Sequence, residues 1–140
     1  MIRLLGAAVF LCLATVAPAQ KSAVFKTRLS PVAMDATMRL TVAGHGDASA
    51  RLAGNRLEIT GQFEGLLSPA TKAELRLSPV MGVRGPAFQE LTVSKAANGE
   101  ISGSCELTAD QLASLRKGRI YILISSEKAA DGNLWGWLLP

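Results

Sequence analysis

Short stretches of strict apolar–polar alternation constrain this chain most, because a period of two matches a strand with one buried face and one solvated face. In "RLEITGQFEG", Leu57, Ile59, Gly61 and Phe63 fall on one face and Arg56, Glu58, Thr60, Gln62 and Glu64 on the other. "ATMRLTV" sets Met38, Leu40 and Val42 against Thr37, Arg39 and Thr41. "AELRL" sets Ala73, Leu75 and Leu77 against Glu74 and Arg76. "EISGSCEL" sets Ile101, Gly103, Cys105 and Leu107 against Glu100, Ser102, Ser104 and Glu106. "RIYILIS" sets Ile120, Ile122 and Ile124 against Tyr121, Leu123 and Ser125.

Turn dipeptides punctuate these runs: Gly54-Asn55, Ser68-Pro69, Ser78-Pro79, Gly85-Pro86, Asn98-Gly99 and Asp131-Gly132. Asn98-Gly99 and Asp131-Gly132 predict hairpin turns, since both residue types tolerate positive φ. About seven or eight short strands at this spacing predict an all-β antiparallel sandwich or barrel. One segment departs from the pattern. "LTADQLASLRKG" offers Thr108 as N-cap with Gln111 three residues on, a capping box, and Gly118 as a terminator. It predicts one short helix over residues 109–117. "RLSPV" occurs at Arg28–Val32 and again at Arg76–Val80. Shared strand-end chemistry accounts for it more simply than a duplication, because Ser-Pro commonly opens a turn.

The first twenty residues, "MIRLLGAAVFLCLATVAPAQ", carry Arg3, an apolar run from Leu4 to Val16, and then "APA". These are the three parts of a cleavable export signal, cut after Ala19. The run is short for a membrane span, no second long one follows, and Cys12 lies inside it. The expected organisation is a signal peptide over 1–19 and a single domain over 20–140, periplasmic or extracellular. Only Cys105 then remains, which precludes an intramolecular disulfide. The net charge of +4 is spread along the chain. A nucleic-acid surface gathers its Lys and Arg into a patch, so no nucleic-acid partner is expected.

Reactive chemistry is sparse. The single histidine, His45 in "AGHGD", reads as an exposed turn residue between glycines. A transition-metal site needs three or four converging ligands, and none is expected here. Cys105 shares the inward face of its strand and reads as a small buried hydrophobe. Glu58, Glu64 and Glu74 would serve acid–base catalysis only if strands brought two of them together. No catalytic residue, metal or cofactor is predicted.

"LTADQLASLRKGRIYILIS" followed by "DGNLWGWL", together with "GLLSPATKAELRL" and "RGPAFQEL", resembles the CHRD domain, a module named after chordin and common in exported bacterial proteins. The resemblance runs from about Phe25 to Leu138. It implies an immunoglobulin-like or superoxide-dismutase-like β-sandwich. It implies no established reaction, and a role as an extracytoplasmic binding or structural module. The family typically carries His-Ile-His where this chain has Glu74, Leu75 and Arg76. Its Asn-Val-His-Thr falls on Leu123, Ile124, Ser125 and Ser126. An arginine and a polar residue fall on Trp135 and Trp137. A metal role tied to those histidines is therefore not implied here.

The tail "DGNLWGWLLP" reads as the last strand, with Leu134, Gly136 and Leu138 inward and Trp135 and Trp137 outward. Paired with "RIYILIS", it places Tyr121 and Leu123 beside the tryptophans, with Glu74 and Arg76 at the edge of the same face. An aromatic patch of that kind predicts a protein partner or self-association, with Trp135 adding little to the stability of the isolated fold. Two other readings stay open. The "AGHGDASARLAG" loop or the N-terminal segment folds over the tryptophans, or the chain is a metal-handling or small-ligand-binding periplasmic protein.

Overall fold

A computed structural model describes residues 22–140. The expected signal peptide, with Arg3, Cys12 and the cut after Ala19, lies outside the described residues. The elements are β1 (Ser22–Pro31), a 3-10 turn (Met38–Leu40), β2 (His45–Ala53), β3 (Arg56–Glu64), β4 (Ala70–Leu77), β5 (Ala87–Val93), β6 (Gly99–Glu106), α1 (Ala109–Arg116), β7 (Ile120–Ser126) and β8 (Ala129–Trp137). The eight antiparallel strands close into a barrel in the order β1-β2-β3-β6-β5-β4-β7-β8. In the run β7-β4-β5-β6, three consecutive strands are followed by one that returns beside the first, which is a Greek key. Two seams of the barrel are narrow. β1 meets β8 only through Ser30↔Trp135 and Pro31↔Leu134, and β5 meets β6 only through Thr92↔Ser102 and Val93↔Ile101.

The inward set of each strand builds the core, as the alternation predicts. Leu57, Ile59 and Phe63 of β3, Ala73 and Leu75 of β4, Ile101 of β6, Ile120, Ile122 and Ile124 of β7, and Leu134 of β8 belong to one cluster, joined by Leu138 just past β8. Burying each large aliphatic side chain contributes about 1.5–3 kcal/mol. The tail is the last strand, and its continuation is tied to β1 by a bridge between Leu139 and Lys26. Helix α1 forms where the capping box predicts. Thr108 Oγ1 accepts from the Gln111 N–H at 3.2 Å, and Gln111 Oε1 accepts from the Thr108 N–H at 3.0 Å. The helix presents Leu115 to the core, with Leu112 packing against its edge. Gly54, at φ +63, closes the two-residue β2–β3 hairpin as a type II′ turn requires.

Three local expectations need correction. "ATMRLTV" is not a strand. Asp35 Oδ1 accepts bonds from the N–H of Thr37, the N–H of Met38 and the hydroxyl of Thr37, folding the segment into a 3-10 turn. Such local side-chain bonds compete directly with strand formation. Leu40, expected on an inward face, is 81% exposed. "AGHGDASARLAG" is not a loop but contains the whole of β2, with His45 as the strand's first residue rather than a turn residue. Ala48, Ala50 and Leu52 point to the core against Asp47, Ser49 and Arg51, an alternation muted by small side chains. Asp131-Gly132 is not the β7–β8 turn, since both residues belong to β8. The turn falls on Glu127-Lys128, where the Lys128 N–H bonds Ser68 Oγ and the Glu127 N–H bonds the Pro69 carbonyl.

Candidate functional site: the outer face of β4, β7 and β8

Strand register brings the sequence-predicted contact residues together on one outer face. Glu74 of β4 lies opposite Leu123 of β7, which lies opposite Trp135 of β8. One step along, Arg76 faces Tyr121, which faces Trp137. Trp137 stacks on Tyr121 with ring centroids 4.8 Å apart, and Trp135 meets Trp137 at 4.7 Å and 67°.

This face is not open, however, which corrects the expectation of an exposed aromatic–aliphatic patch. Tyr121 and Leu123 are 0% and 2% exposed, and both tryptophans are half-buried. The covering comes from the β1–β2 connection, residues 32–44, and not from the histidine segment. Its Val32 and Val42 join Tyr121, Leu123 and Ala129 in a second apolar cluster, with Met38 packed against it. β7 is therefore buried on both faces along its whole length. Two buried polar atoms lack partners among the described residues: Trp137 Nε1 and Asn133 Oδ1. Asn133 Nδ2 donates to Ser126 Oγ at 2.9 Å.

The β4–β5 loop covers the other end of the face through Arg84-Gly85-Pro86. The Tyr121 hydroxyl accepts from the Gly85 N–H at 3.0 Å and donates to the Gly85 carbonyl at 3.3 Å. Arg76 Nε donates to the same carbonyl at 2.7 Å, and the Pro86 carbonyl accepts from the Leu77 N–H. A Cβ on Gly85 would lie 1.7 Å from the Leu77 carbonyl oxygen, so only glycine fits. Arg84 bonds the Asp131 carbonyl and sits 5.8 Å from the Trp135 ring centroid, within cation–π range.

Between the connection and the loop an open cleft of ≈ 560 Å³ remains. Its walls are Ala33 and Met38, the β4 side chains Lys72, Glu74 and Arg76, then Arg84, then Leu123 and Ser125 of β7, and Ala130 and Asp131 of β8. Lys72 Nζ and Arg76 Nη1 both approach Glu74 Oε1, at 3.3 and 3.6 Å. Of the positions where the resemblance implied histidines, Glu74, Arg76 and Ser125 all line this cleft. Sequence reasoning did not single out Lys72 or Arg84. The alternation in β4 places Lys72 beside Glu74, whereas Arg84 arrives on a loop that no periodicity describes.

The other candidates are dispersed. His45 Nε2 lies 2.7 Å from Glu64 Oε1 at the opposite side of the barrel, where a second open groove of ≈ 960 Å³ is bordered by Asp47, Gln62 and Glu100. Both side chains of that pair are well exposed, so it contributes little stability. Glu58 pairs with Arg56. β6 and β5 separate β3 from β4, so neither Glu58 nor Glu64 is brought beside Glu74. Among the described residues no three His, Cys, Asp or Glu side chains converge as a metal site would require. Cys105 is half-buried against the core edge, and burial pushes its thiol pKa up. Among the described residues no helix is long and apolar enough to cross a membrane.

No curated protein and no solved structure matches the chain. A family model does, and it is the CHRD domain, over residues 25–138. That span takes in every strand that builds the cleft and all of its walls, and the chain therefore belongs to the CHRD domain family.

Proposed function

We propose that this protein is an exported, non-catalytic CHRD binding module whose ligand enters the cleft on the outer face of β4, β7 and β8. The observation that carries this reading is the cleft itself. Its volume falls in the range typical of small-ligand sites, and its few polar groups converge from three strands and a loop. The aromatic cluster beside it supports the cleft with a packed layer, as a preorganised binding site needs. The two narrow seams support a sandwich-like description as well, with β1-β2-β3-β6 as one layer and β5-β4-β7-β8 as the other.

Export rests on the leader-like pattern of Arg3, the apolar run and "APA". N-terminal sequencing of the secreted protein should begin at Gln20, and a product retaining Met1 would overturn it. The cleft is tested by a thermal-shift screen of small molecules against the wild type and Ala130→Trp, which places a large ring on the exposed lip. Ligands that raise the melting temperature of the wild type only are expected. Hits that stabilise both proteins equally would place binding elsewhere.

A second reading, self-association, is favoured by a different surface. Val80, Met81 and Leu139 are exposed, and Met81 and Leu139 both border Gly118. Sedimentation at rising concentration tests it, with Met81→Lys expected to abolish any dimer.

A further inference from the structure

The charges around the cleft do not balance. Lys72, Arg76 and Arg84 stand against Glu74 and Asp131. Lys72 and Arg76 share a single carboxylate oxygen of Glu74, so one carboxylate serves two cations. Arg84 has no carboxylate partner among the described residues. Among the described residues its one polar contact is the backbone carbonyl of Asp131, and the Asp131 carboxylate makes no ion pair there. The local excess is one positive charge, on groups held in place. Arg76 is fixed by the Gly85 carbonyl and Arg84 by the Asp131 carbonyl and the Trp135 ring. Ser125 adds a hydroxyl that lines the cleft although the residue is only 3% exposed. Leu123, Met38 and Ala33 supply an apolar wall beside these charges.

We propose that the cleft is an anion site, taking a small organic molecule with a carboxylate or phosphate head. Arg84 and Arg76 meet the charge, and Ser125 donates a hydrogen bond to it. A guanidinium offers donors in a fork matched to either head group. A cationic ligand would face three resident cations, and a metal ion would find only Glu74 and Asp131. Glu74 competes with the ligand for Lys72 and Arg76, and so weakens binding.

The proposal rests on the reading of the cleft as a ligand site, and one experiment separates the two. The chain has two tryptophans, both in the cluster beside the cleft, so two indole N–H signals report on it by NMR. The protein is titrated at constant ionic strength with inorganic phosphate, benzoate, benzamide and benzamidinium. Saturable shifts of the Trp135 signal with benzoate or phosphate are expected, and whichever binds more tightly identifies the head group. Arg84→Gln should weaken that binding about tenfold, whereas Arg84→Lys, which keeps the charge, should weaken it less. Glu74→Gln should tighten it, an outcome that a merely destabilised fold would not produce. Saturation by benzamide or benzamidinium without benzoate or phosphate overturns the anion proposal and leaves the ligand cleft standing. Failure of all four probes overturns both.

Discussion

Leu134 and Trp135 are neighbours on β8 that face opposite sides of the barrel wall, and replacing each with alanine tests how that wall is built. Leu134 is fully buried in the main core. Its truncation should cost about 3–4 kcal/mol, within the range for buried Leu→Ala changes that leave a cavity. On an open strand face Trp135→Ala would cost under ~1 kcal/mol. Here the ring makes an edge contact with Tyr121 at 6.2 Å and another with Trp137 at 4.7 Å, and Arg84 lies over it. Each aromatic pair contributes about 0.5–1.5 kcal/mol beyond area burial. The cation–π contact adds about 0.5–1 kcal/mol. With partial burial included, Trp135→Ala should cost about 2–4 kcal/mol, nearly as much as its inward neighbour. Urea melts followed by far-ultraviolet circular dichroism measure both without relying on the deleted fluorophore. The midpoints should fall at an unchanged slope. A Trp135→Ala cost under ~1 kcal/mol, beside a large cost for Leu134→Ala, would show that the β1–β2 connection does not pack on this face. The account of the cleft would then fail with it.

Gly85→Ala should cost more than ~2 kcal/mol and release the loop, because the new Cβ meets the Leu77 backbone and the bonds from Arg76 and Tyr121 are lost with it. A red shift in tryptophan emission would report the opening, and an unchanged melt would refute the contact. The Asp35 carboxyl is held below its ordinary pKa by the Thr37 hydroxyl first, then by the Met38 and Thr37 N–H groups. Its stabilising contribution is present above the unfolded value near 3.8 and disappears as pH falls through the lower folded value. Asp35→Asn should therefore lower stability at neutral pH and flatten the acid limb, measured by melts at about pH 7 and about pH 3. For Cys105 the sign is reversed. Burial raises the thiol pKa above 9.0, so stability falls as pH rises past that value, and Cys105→Ala should remove the loss. Iodoacetamide should alkylate the folded thiol much more slowly than the same protein in urea, and equal rates would contradict its burial.

The sequence by itself determined the strand class, the helix and the faces of the strands it made legible. Strict alternation in β3, β4 and β6 can be satisfied only by a wall with one apolar side, and a capping box specifies a helix start through bonds only three residues apart. The same logic put Glu74, Arg76, Leu123 and Trp135 on the outward sides of their own strands, and strand register joined them on one face. Alternation is weak where the inward residues are alanines, which is why β2 looked like a loop. It misleads where a local carboxylate captures backbone N–H groups, as Asp35 does beneath Met38. Only the tertiary structure decided what lies over the outer face. Burial of that face depends on where the β1–β2 connection and the Arg84-Gly85-Pro86 loop return, tens of residues away in the chain. Non-local packing of this kind has no period. Tyr121 carries the same outward signature in sequence whether water or Gly85 meets its hydroxyl, and the fold brings Gly85.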